Sequence, residues 1–213
     1  MVRFSDIIKA RDKKSLENGS QEEANQEDTF RLSDSLVLKK QEDEQVPIDP
    51  PSHNITGREA AAHYKKLINR AQEVRERVKG DKGISPSPIL SDLHYIIDRD
   101  MVDSLYDYAM SSQVGYDDMI IHTLDVTFTC LKVGKGMKYD IKMLLRLGLA
   151  AFLENVGMYR IPDRVLKARG KLGEREINLI KNHPKMSHDI LSRMGQRYKW
   201  LAEVALQVHE GRC

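Results

Sequence analysis

Between Leu147 and Leu166 the chain reads LGLAAFLENVGMYRIPDRVL, and this stretch constrains the fold more than any other. Leu147, Leu149, Ala150, Ala151, Phe152 and Leu153 form an almost unbroken apolar run, the pattern of a helix covered on most of its surface. Such a helix needs a core around it, so the rest of the chain has to supply one. Glu154 and Asn155 follow directly, and polar groups at the end of a buried helix must find partners or perform chemistry. Gly157 permits a tight turn, Ile161-Pro162-Asp163 gives a rigid extended exit, and another helical pattern opens at Val165. A carboxylate and an amide closing an apolar helix beside a glycine turn mark the kind of place where metal sites are built.

Helical period recurs on both sides of this stretch. Thr56-Gly57-Arg58-Glu59 reads as a capping box, and Ala60, Tyr64, Leu67, Ala71, Val74 and Val78 then mark one apolar stripe up to Gly80. A helix over 56–80 is expected, either dimerising as a coiled coil or lying on the flank of a domain. After the break KGISPSP, apolar positions from Leu90 to Ala109 again carry helical spacing, with His94 expected as a half-buried packing residue and His63 as surface. Asp117-Asp118 caps a helix that carries His122; Asp118 and His122 are four apart, share a face and can point at one ion, or can simply cap and pack. Gly134 and Gly136 suggest a loop before the helix that starts near Tyr139. Leu172-Gly173-Glu174 opens a helix, Pro184 bends or restarts it after His183, and His188, five residues beyond His183, is expected at the surface. A last stripe of Trp200, Leu201, Val204, Ala205 and Val208 delivers His209. The expected fold class is all-α.

Residues 1–55 differ in kind. They are rich in Glu, Gln, Ser, Asp and Asn, hold eight Lys and Arg against twelve Asp and Glu, and end in VPIDPPSHN. Such a segment cannot bury enough apolar surface to offset its ordering entropy, so a disordered polar leader is expected. The remainder carries twenty-six basic against twenty acidic residues, without a basic block interleaved with aromatics, so nucleic acid is an unlikely partner. No run of eighteen apolar residues and no secretion signal exists, and Cys130 and Cys213 are at unrelated positions. A cytoplasmic protein without a membrane span and with reduced thiols is the expectation.

Five segments in order, from Tyr116 to Glu210, resemble the HD-GYP branch of the HD superfamily. These are His122 in IIHTLDV; Leu147 to Asp163, where that family reads LHDIGK followed by IPD; Lys171-Leu172 with Glu174 and Glu176; Asn182-His183-Pro184; and His209-Glu210, the end of HHE. The resemblance implies an HD-domain-like helical bundle over 87–213 and a metal-dependent phosphohydrolase ancestry, the characterised members mostly hydrolysing cyclic di-GMP. It implies two or three ions, iron or manganese, with Asp118, His122, Glu154, Asn155, His183 and His209 at the ligand positions. The departures are specific: Glu154-Asn155 stands where the family has His-Asp, Met158 replaces its lysine, Val208 replaces the first histidine of HHE, and the sequence stops before GYP. A degenerate, C-terminally truncated member is the expectation. Its expected role is binding in bacterial signalling, to a cyclic dinucleotide or more readily a protein, with no ion or one weakly held. The alternative is an active phosphodiesterase rebuilt on Glu154, His122, His183 and His209.

Overall fold

The structure, a computed structural model, describes residues 57–111, 117–168 and 170–208. The polar leader, Thr56, His209 and Glu210 lie outside the described residues. Among the described residues every regular element is helical, so the chain is all-α as its patterns implied.

Helix α1, Gly57–Lys79, opens the bundle. Ala60, Tyr64, Leu67, Ala71, Val74 and Val78, the stripe read from spacing, are all buried, together with Ile68. They pack against α3 (Val102–Ser111), α4 (Asp118–Gly136) and a 3-10 turn at Val156–Arg160. Of the two places open to this helix, the structure shows the one within the domain: the surface that could have zipped a dimer is used inside the molecule. Helix α2, Pro86–Asp98, starts inside the expected break KGISPSP, at its first proline, which lacks an N–H where a helix's first turn has no partner for one.

Helix α5, Ile141–Leu153, is the apolar stretch, capped by Asp140, whose Oδ1 accepts from the Met143 N–H at 2.7 Å. It packs chiefly on α4 and α2. The glycine pair expected to form a loop instead lies within α4. A Cβ at Gly134 would stand 2.8 Å from Leu147 Cδ2 and 2.9 Å from Leu144 Cδ2, so the small residue lets two helices meet closely. That reason is invisible in a local reading.

Beyond the 3-10 turn come α6 (Asp163–Leu166), α7 (Glu174–Lys181), α8 (His183–Leu191), two short 3-10 turns and α9 (Lys199–Gln207). Pro184 restarts the helix: α7 ends at Lys181 and α8 begins at His183. Glu176 reaches back to the Gly173 N–H at 2.8 Å and so completes the start of α7. Three histidines differ from expectation. His94 is exposed, its helix turning Leu93 and Ile96 inward instead. His63 is half-buried because it stacks on Tyr95 at 5.3 Å. His188 is half-buried between Asp189, 3.5 Å away, and Glu203, 4.0 Å away. No helix among the described residues is long and apolar enough to cross a membrane.

Candidate functional site

Three segments carry the sequence-predicted residues that the structure describes here. Helix α4 supplies His122, the exit of α5 supplies Glu154 and Asn155, and the first residue of α8 is His183. Asp117 starts α4 by accepting the Met119 N–H at 3.1 Å. Its other oxygen is held at 3.0 Å by Arg75, a α1 residue that also reaches Asp163 at 3.2 Å. One guanidinium therefore ties the start of the His122 helix to the segment leaving the Asn155 turn. A second tie is buried: Tyr159 Oη lies 3.2 Å from the Thr123 hydroxyl, which also donates to the Met119 carbonyl at 2.9 Å.

Gly157 seats the turn on α8. Its N–H donates to Ser187 Oγ at 2.8 Å, and a Cβ in its place would meet the His183 carbonyl oxygen at 2.2 Å and Ser187 N at 2.6 Å. Sequence reasoning gave this glycine a turn; the structure gives it a backbone-to-backbone contact. Through it, the Glu154–Asn155 corner and the start of α8 have a fixed relation.

At the corner itself the amide of Asn155 is shared. Its Nδ2 lies 3.3 Å from His122 Nε2 and donates to Glu154 Oε1 at 3.1 Å. With the proton of His122 on Nδ1, Nε2 accepts from the amide, and the lone pair a metal would use is engaged. Burial pushes the Glu154 carboxyl up to about 6, since removing solvent disfavours its charge. His183 is oriented differently: its Nδ1 lies 2.7 Å from the Ile180 carbonyl oxygen, which can only accept, so the proton is on Nδ1. Metal-ligating histidines are commonly held this way by their other nitrogen.

Asp118 is exposed and lines a small cleft of about 50 Å³ with Arg75, Asp117 and Asp163. His209 lies outside the described residues. Among the described residues no three His, Cys, Asp or Glu side chains converge as a metal-binding group. The donor set does not fit a pair of closely spaced divalent ions, because the position between His122 and Glu154 is taken by a neutral amide whose nitrogen donates to Glu154 and lies 3.3 Å from His122 Nε2. Sequence reasoning missed Asp125, one turn beyond His122 on the same face of α4, whose carboxyl burial pushes up and His122 partly draws back. Its spacing of three from His122 was a usable signal. It also missed Arg75, which no local pattern marks.

Residues 87–212 match the HD domain family model. Over 63 residues the chain is 41% identical to the cyclic di-GMP phosphodiesterase response regulator RpfG of Xanthomonas campestris pv. campestris, covering 29% of this chain and 17% of that protein. Over 90 residues it is 26% identical to a cyclic di-GMP phosphodiesterase of Pseudomonas aeruginosa, covering 42% of this chain and 22% of that protein. The chain thus spans about a fifth of the length of these curated relatives. No solved structure matches it. The family match takes in more than half of the sequence, and with it the helix, the corner and the α8 histidine described above: the chain belongs to the HD domain family.

Proposed function

We propose that this is a cyclic di-GMP phosphodiesterase-like HD domain whose catalysis is impaired and which acts by binding, in cytoplasmic signalling. One observation carries the reading: the Asn155 amide lies between His122 Nε2 and Glu154 Oε1, at 3.3 Å and 3.1 Å. HD domains are generally metal-dependent, and a pair of divalent ions about 4 Å apart needs an anionic ligand between them to offset their repulsion. An amide carries no charge and coordinates weakly. Met158 and Val208 subtract a cation for substrate phosphate and a further nitrogen ligand. Loss of even an outer partner of a metal ligand costs about ten- to a hundred-fold in affinity or activity, so losses among the ligands themselves silence a two-ion centre. A protein partner or a cyclic dinucleotide, the latter suggested by the relatives' substrate, is the ligand to look for.

A second reading is supported by His183 and Glu154. The first is held in a metal-binder's tautomer, and the second keeps a carboxyl that is ionised at neutral pH. With His122 and His209 they are the donors that the sequence offers to a rebuilt phosphodiesterase, iron or manganese suiting mixed nitrogen and oxygen ligands. Elemental analysis of the purified protein, together with cyclic di-GMP turnover under reducing conditions with added manganese or iron, separates the two. The first reading expects at most one substoichiometric ion and no turnover; two bound ions with turnover would establish the second.

A further inference from the structure

A cleft of about 590 Å³ opens between the end of α1, the 3-10 turn and the segment after α8, and shares no residue with the His122–Asn155 corner. Three cations line it: Lys79, Arg160 and Arg193. Two of them converge on a single oxygen of Asp81, Arg160 at 2.7 Å and Arg193 at 2.9 Å. Asp81 is 69% exposed and sits at the turn after α1 with φ of 50°. Lys79 reaches Asp163 at 3.1 Å on the same wall. Val78, Tyr159, Ile161 and Pro162 complete the lining.

Two guanidinium groups gripping one exposed carboxylate oxygen are an anion site held by a weak anion. Solvent-exposed ion pairs contribute little, whereas a phosphate offers several oxygens to two planar forks at once and makes the stronger, charge-assisted bonds. The volume exceeds what a bare phosphate fills and lies in the range of small-molecule sites. We propose that this cleft binds a phosphomonoester of about nucleotide size, its phosphate displacing Asp81 from Arg160 and Arg193 and its body lying toward Tyr159 and Pro162. Asp81 is then a competitor built into the chain, and removing its charge improves binding.

The site stands independently of the impaired-catalysis reading, because it uses none of the corner residues. Isothermal titration of the full chain at low salt, with GMP, AMP and inorganic phosphate as probes, tests it. Both nucleotides are expected to bind more tightly than phosphate, Arg160→Gln and Arg193→Gln each to weaken binding at least about ten-fold, and Asp81→Asn to tighten it about three- to ten-fold. All three substitutions are at exposed side chains, and unchanged melting curves verify the fold. Absence of binding at millimolar probe, equal affinity for phosphate and nucleotides, or Asp81→Asn binding no better than the parent chain would overturn the proposal.

Discussion

Asn155 Nδ2 lies 3.3 Å from His122 Nε2, a bond between side chains thirty-three positions apart in sequence. The amide and a metal ion compete for that one lone pair. Replacing the amide by a carboxylate should therefore reverse the corner's response to metal. In chelator, Asn155→Asp puts a second negative charge beside Glu154 and is expected to lower stability by about 1 kcal/mol, a fall of roughly 2–4 °C in Tm for a chain of this size. Manganese should restore the variant and leave the parent chain unmoved. Equal manganese shifts in both, read by thermal unfolding, would show that Asn155 does not govern ion binding.

Gly157 makes a different prediction, about shape. Its missing Cβ faces backbone atoms of His183 and Ser187, which cannot swing aside as a side-chain tip can. Gly157→Ala should cost about 3 kcal/mol, the upper range for overpacking. Ser187→Ala keeps the shape and only deprives the buried Gly157 N–H of its acceptor, costing about 1–2 kcal/mol. Urea denaturation of the pair gives the order; a Ser187 variant less stable than the Gly157 variant contradicts the close approach.

These residues also show what a sequence discloses. The stripe of α1 and the apolar run of α5 were legible because helical period is a local signal, and so was the capping role of Asp117. Motif order brought out His122, Glu154, Asn155 and His183 together. The role of a small residue was not legible: Gly134 and Gly157 look like turn formers, and only the opposing atoms, Leu144 and Leu147 in one case and the start of α8 in the other, reveal contacts between elements. His94 misled because period alone does not fix where the edge of a buried stripe falls. Long-range ion pairs such as Arg75 with Asp163, eighty-eight positions apart, leave no trace in spacing.

Helix α1 precedes the residues that match the family model, yet its side chains enter the same core as α4 and α5. Tyr64, Leu67, Ile68, Val74 and Val78 are each at most 4% exposed. At about 1.5–3 kcal/mol for each large apolar side chain, their loss is comparable with the whole stability of a typical domain. A fragment beginning at Pro86 is expected to lack a cooperative unfolding transition, whereas one beginning at Gly57 should keep it. Arg75→Met, which retains much of the stem but leaves Asp117 and Asp163 with only the more distant Lys167 between them, should cost about 2 kcal/mol, because the arginine is only 15% exposed. A loss under about 0.5 kcal/mol in chemical denaturation would class the clamp with ordinary surface pairs.

The carboxyl of Glu154 gives the last prediction, and its sign follows from burial. Folding raises this group from its ordinary 4.5 to about 6, so the folded protein binds the proton more tightly than the unfolded chain does. Its contribution is fully present below about pH 4.5 and is lost as pH rises through about 6; above that, the fold holds a charge that burial disfavours. Allowing for screening at a side chain that water still reaches, the loss is on the order of 1 kcal/mol. Glu154→Gln keeps an acceptor for the Asn155 amide and cannot ionise, so it should equal the parent near pH 4.5 and exceed it by about that amount at pH 7. Unfolding both proteins in urea across this range, with chelator present, isolates the group, since every other titrating side chain is common to the two curves and cancels in their difference. Parallel curves would mean that Glu154 titrates alike in the folded and unfolded chain, and that the corner is wetter than its packing implies.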